Sequence, residues 1–132
     1  MKKYILIFLS ILFSSCLQAQ NNLLTNGKAF LASFFAKDYK KALELFDESV
    51  LNQINETVLN DAEAGIVMSF GDYKEAISYK PDSSSAYKIV YYYCKFEKTN
   101  FDMKIVFSAN SKIVGFYTSP HKTKKEEIYT PL

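Results

Sequence analysis

The hydrophobic period of this chain changes once, at Gly71, and that change decides the fold class. Upstream, apolar residues recur at helical spacing. In "LLTNGKAFLASFFA" (23–36), Leu24, Leu31, Phe34 and Phe35 fall on one helical stripe. In "KDYKKALELFDESVLNQI", Asp38 stands as an N-cap, and Tyr39, Ala42, Leu43 and Phe46 repeat three to four residues apart. A third helix is predicted over 56–69. Asn55 caps it, Leu59, Ala62 and Ile66 line one side, and Gly71 stops it. Downstream the period is two. Tyr73, Ile77 and Tyr79 are expected on one side of a short first strand, and "PDSSS" on a loop. Three further strands follow: one from about Tyr87 to Glu97, "FDMKIVF", and "KIVGFYT", which Pro120 ends. Helices followed by a strand meander make an α+β fold, with three N-terminal helices packed on a curved four-stranded antiparallel sheet.

Register follows from cost. Phe101, Met103, Ile105 and Phe107 must face the core. An even turn before them seats Val90, Tyr92, Cys94 and Phe96 opposite, whereas an odd turn seats Lys95 and Glu97 there. Burying two charges costs more than burying a tyrosine, so the even register is predicted. A two-residue turn at Asn110–Ser111 then sends Val114 and Phe116 to the core side. Ile89, Tyr91, Tyr93, Val106, Ile113 and Tyr117 are left on the other face, edged by Lys88, Lys95, Glu97 and Lys104. A contiguous apolar patch is expected to meet a partner, most simply a second copy packed sheet against sheet. The competing account has the helices, or the tail from His121, fold over this face.

The N-terminus, "MKKYILIFLSILFSSCLQAQ", has two lysines, an apolar run from Tyr4 to Phe13 too short to span a bilayer, and a small-residue region up to Ala19. Residues 1–19 therefore read as a signal peptide for export to the periplasm or beyond. Residues 20–120 read as a single domain, and 121–132 as a flexible charged tail. Cleavage after Ala19 competes with acylation of Cys16 in "FSSC", which resembles a lipoprotein box; only acylation would anchor the protein to a membrane. Loss of Lys2 and Lys3 turns the formal charge of +2 into a balance of 14 basic and 14 acidic residues. Every basic residue is Lys, so bidentate clamping of phosphate is ruled out and nucleic acid is not an expected partner. Cys94, mid-strand among aromatic residues, is expected to be a buried inert thiol.

"KDYKKAL" (37–43) and "GDYKEAI" (71–77) are near copies 34 residues apart, the tetratricopeptide period. The second copy has only a short run before Pro81, and the chain beyond it has period two, so that architecture does not fit. "FLASFFAKDYKKALELFDESV", the helix-ending Gly71 and "VFSANSKIVGFYTSP" together resemble another family over residues 26 to 120. It is an uncharacterised bacterial domain of unknown function in the nuclear-transport-factor-2-like superfamily, found alone behind signal peptides or fused ahead of α/β-hydrolase domains. Ser111 stands where that family's closing hairpin usually has Gly. The resemblance implies a curved sheet wrapped by helices into a cone. It carries over no activity, and the chain has neither a G-x-S-x-G nor the length for a hydrolase domain.

Little in the sequence carries chemistry. His121, the lone histidine, has no Cys, Asp or Glu at ligand spacing and reads as a solvated tail residue, so no metal and no cofactor are expected. Tyr73, Tyr79 and Tyr92 are candidates to line a cone cavity for a small apolar ligand, with Asp72 or Glu75 at its rim. The expected function is an exported, non-catalytic binding or protein-interaction module. The alternative is a small isomerase- or dehydratase-like enzyme using a Tyr–carboxylate pair inside the cone. A buried carboxylate or histidine converging on a cavity separates the two readings.

Overall fold

A computed structural model describes residues 22–82, 86–121 and 128–132. The expected signal peptide and Cys16 lie outside them. Among the described residues there are three helices, α1 (22–35), α2 (Tyr39–Leu43) and α3 (Glu56–Phe70), and a 3-10 turn at Glu48–Val50. Five strands follow: β1 (Tyr73–Asp82), β2 (Lys88–Phe96), β3 (Asn100–Phe107), β4 (Ile113–Ser119) and β5 (Thr130–Pro131). They form one antiparallel sheet in the order β4-β3-β2-β1-β5. The layout is α+β as expected, with five strands in place of four. The additional strand comes from the far end of the expected tail, where the Leu132 N–H donates to the Ile77 carbonyl at 3.1 Å. No helix among the described residues is long and apolar enough to cross a membrane.

The caps act where the sequence puts them. Asn55 Oδ1 accepts from the Val58 N–H at 2.9 Å, and Gly71, at φ 82°, closes α3 in a conformation that only glycine adopts freely. Asp38 caps α2, which lasts only five residues. Phe46 then leaves the helix to bridge Ile113 of β4. One face of the sheet packs on the helices through rings. Phe30, Phe34, Phe46 and Phe116 form a cluster with centroids 5.0–6.2 Å apart, and Phe35 stacks on Tyr73 at 4.2 Å. Such contacts add about 0.5–1.5 kcal/mol per pair beyond area burial.

The β2–β3 turn is even, as the burial argument required. The Phe96 N–H donates to the Thr99 carbonyl across a two-residue loop, pairing Cys94 with Phe101, Tyr92 with Met103 and Val90 with Ile105. All six are buried.

Two expectations are corrected. The β3–β4 loop holds three residues, with Ser111 at φ 62°, and a bulge follows it opposite Val106 and Phe107. Loop and bulge together place Ile113 opposite Phe107, fully buried in the core instead of on the outer face, while Phe116 keeps the core side. In β1, irregularities between Tyr73 and Glu75 and between Ala76 and Ser78 break the strict alternation. Tyr73, Ala76 and Tyr79 therefore share the core side, opposite Phe96, Cys94 and Tyr92, and Ile77 is exposed.

Candidate functional site

The three tyrosines proposed for a cone cavity do face the helices, where Tyr73, with Glu75, lines a cleft of about 350 Å³ beside Leu31 and Ala76. Tyr92 is fully buried and its hydroxyl donates to the Leu24 carbonyl at 3.2 Å. Tyr73 lies between Phe35 and Phe96. Tyr79 is half-buried opposite Tyr92. Burial, and then the neighbouring Cys94, raises the pKa of both Tyr73 and Tyr92. The Cys94 thiol is pushed up to about 12, chiefly by burial. Asp72 and Glu75 are both exposed. A Tyr–carboxylate pair does exist, but in the helix layer. The Tyr39 hydroxyl donates to Glu63, 3.2 Å away and only 4 % exposed.

Chemically dense residues lie on the opposite face. Asp102, near the start of β3, is 2 % exposed. One carboxylate oxygen lies 2.8 Å from His121 Nδ1, and the other accepts from the Tyr129 hydroxyl. The imidazole stacks on Tyr93 with centroids 3.8 Å apart and meets Tyr129 edge-on at 4.7 Å. The Asn100 amide donates to the Tyr93 hydroxyl at 3.2 Å. His121, expected to be solvated, is thus mostly covered. The two described pieces of the C-terminal segment lie against the sheet.

Asp102 forms the floor of a cleft of about 230 Å³, walled by Lys80, Asp82, Tyr91, Ser119, Pro120 and Tyr129. The sheet register explains the gathering. Lys80 pairs with Tyr91, Asp82 with Ile89 and Asp102 with Ser119, so all these side chains leave the same face. A second, more apolar cleft of about 380 Å³ lies at the sheet end, between Phe70, Phe101, Thr118, Pro120 and His121. Among the described residues no cluster of His, Cys, Asp and Glu is arranged to hold a metal ion.

The expected outer patch is divided. Ile113 is in the core, Ile89 is 9 % exposed, and Tyr93 lies under His121. Tyr91, Val106 and Tyr117 remain, with Lys104 Nζ 6.0 Å from the centroids of both tyrosine rings. The sequence reading missed Asp102, His121 and Tyr129 as a group. One signal was available: His121 follows, by two residues, the strand partner of Asp102. The expected two-residue turn already pairs Asp102 with Ser119; what hid the group was reading the chain beyond Pro120 as a solvated tail.

No curated protein and no solved structure matches the chain. One family model, described as "Protein of unknown function (DUF3887)", matches residues 28–116, which run from α1 to Phe116 of β4. The matched span carries the helices, β1 to β3 and Asp102, and on that match this chain belongs to the DUF3887 family of proteins of unknown function.

Proposed function

We propose that this protein is an exported, non-catalytic binding module that takes a small polar ligand in the cleft on the outer face of its sheet. The observation that carries the reading is Asp102, a nearly inaccessible carboxylate at the floor of a cleft whose other walls include Lys80, Asp82, Ser119 and two tyrosines. Carboxylates accept hydrogen bonds, an ammonium donates them, and hydroxyls do both. Tyrosine faces add apolar area that keeps a polar edge. A compact ligand bearing several hydroxyls, such as a monosaccharide, matches that set. On the helix side Tyr92 is fully buried and Tyr73 is stacked between rings, so the polar groups there are fewer. The helix-on-sheet layering and the bulged β1 support a nuclear-transport-factor-2-like arrangement. Export rests on the lysine-led apolar N-terminus; an intact mass beginning at Gln20 is expected, and an acylated Cys16 would replace free export with membrane anchoring.

Native mass spectrometry of protein from its exporting host tests the binding reading, together with amide chemical shifts recorded against a panel of monosaccharides and amino acids. A bound mass, or shifts centred on Tyr91, Asp102 and Ser119, is expected, and Ser119→Trp should abolish either by filling the cleft. No bound mass, together with no shift at cleft residues for any panel member, overturns it.

One observation favours a second reading. An imidazole fixed by a buried carboxylate is a competent general base. An enzyme of the isomerase or dehydratase kind would then work from His121 on the outer face, beside the apolar cleft, and not from inside the cone.

A further inference from the structure

Among the described residues, the β4 edge of the sheet is open over a short, defined window, and its hydrogen-bonding groups can be counted. The Phe96 N–H to Thr99 carbonyl bond closes the β2–β3 hairpin, and the Ser108 N–H to Lys112 carbonyl bond closes the β3–β4 hairpin. In an antiparallel ladder, bonded and non-bonded pairs alternate. Counting from these two closures, Phe101, Met103, Ile105 and Phe107 of β3 bond to β2. Asp102, Lys104 and Val106 bond to Ser119, Tyr117 and Gly115 of β4. Phe116 and Thr118 therefore turn their N–H and C=O groups away from the sheet.

Both ends of the window are closed. At one end the Ile113 N–H donates to the Leu45 carbonyl at 2.9 Å, and the Ile113 carbonyl accepts from the Asp47 N–H at 2.8 Å. At the other end Pro120 has no N–H to offer. The strand itself, "IVGFYTS", carries no charge, and charge is a common means by which edge strands resist pairing. The bulge that could twist the edge away lies at the end already covered by residues 45–47.

We propose that this edge pairs antiparallel with β4 of a second copy, about a two-fold axis at Tyr117, joining two sheets into one. The window favours a second copy because it is self-complementary. With Tyr117 opposite its symmetry mate, Phe116 of each chain faces Thr118 of the other, and all four outward N–H groups meet all four outward carbonyls. Tyr117, 58 % exposed, sits at the non-bonded position, where paired Cα atoms approach to about 4.5 Å and side chains are closest. Four backbone bonds and a pair of rings make a small interface, so the dimer is weak and concentration-dependent. The surface is distinct from the Asp102 cleft.

Sedimentation of the full chain from micromolar to millimolar concentration should show the mass rising toward that of two chains. Thr118→Pro removes an outward N–H at an edge position where proline is tolerated. Tyr117→Lys places like charges opposite each other. Each should weaken association at least tenfold while leaving the circular dichroism spectrum unchanged. In a Cys16→Ser background, Tyr117→Cys should oxidise to a disulfide-linked dimer, and Tyr91→Cys, in the middle of the face, should not. The cross-linking arm decides the matter even if Thr118→Pro fails to fold. A monomer at millimolar concentration overturns the proposal. Association unchanged in both edge variants, or cross-linking through Tyr91 and not Tyr117, overturns it equally.

Discussion

The hydroxyl of Tyr92 stands where a side chain at position 27 would begin: a Cβ on Gly27 would lie 2.0 Å from it. This contact sets how closely α1 approaches the centre of the sheet. It also explains a glycine inside a helix, where it costs about 1 kcal/mol relative to alanine. Gly27→Ala should therefore destabilise the fold despite its better helix propensity. The tyrosine ring, fully buried, has little room to retreat. Overpacking of this kind costs about 1–3 kcal/mol. Urea melts read it directly, and an alanine variant as stable as the parent would show that α1 can slide.

Stability should decline on the alkaline side. Cys94 is held protonated to about 12 by burial, against an ordinary value near 9. The folded chain thus keeps its proton where the unfolded chain releases it. The contribution is fully present below about pH 9 and is lost as pH rises toward 12, with a slope of up to ~1.4 kcal/mol per pH unit for one group. Tyr73 and Tyr92, also raised, extend the decline in the same direction. Denaturant midpoints at pH 8, 9.5 and 11 measure it, with Cys94→Ala flattening the first part. In the native protein at pH 8, Cys94 should resist thiol reagents until the chain unfolds.

Ser111→Gly should stabilise the protein by about 0.5–1 kcal/mol. Ser111 holds φ 62° to close the β3–β4 loop, a region that glycine enters without a Cβ penalty. Its carbonyl accepts from Asn26 Nδ2 at 2.7 Å, a main-chain contact that the substitution keeps. Thermal melting checks this, and a lower melting temperature would mean that the serine side chain contributes more than its backbone costs.

Local chemistry was legible where it acts alone, and illegible where the partner decides. Asn55 and Gly71 bound α3 as their residue types require. The near-copies "KDYKKAL" and "GDYKEAI" adopt different structures. The first is a capped helix at Tyr39–Leu43, and the second runs into β1 from Tyr73. Gly71 leaves α3 at positive φ, and the Glu97 N–H then donates to the Asp72 carbonyl, so pairing with β2 overrides an intrinsic helical pattern. The β2–β3 register was readable because the wrong one buries charges. At the β3–β4 turn one extra loop residue, cancelled by the bulge beyond it, moved Ile113 across the sheet and left the rest of the pairing as expected. That shift did not hide the candidate site, because the bulge restores the expected pairing from Val106 and Gly115 onward. Asp102 and His121 share no local motif, and although the expected register pairs Asp102 with Ser119, a chain read as a loose tail beyond Pro120 gives no reason for His121 to fold back onto the sheet.

Asp102 should act as the pin that holds the C-terminal segment on the sheet. Its two oxygens engage His121 and Tyr129, and β5 lies immediately beyond Tyr129. Hydrogen bonds to a charged group contribute about 1.5–3 kcal/mol. Asp102→Ala should therefore cost about 2 kcal/mol and leave both partners to water. The local signature is more telling than the global loss. Amide exchange at Leu132, which donates to Ile77, should accelerate well beyond what the global change in stability explains. His121→Ala should accelerate it as well. Because both substitutions break the same contact, the double variant should show a coupling of about 1–2 kcal/mol. Full additivity, with Leu132 still protected in Asp102→Ala, would mean that β5 is held by its own pairing with β1 and that Asp102 serves only the cleft.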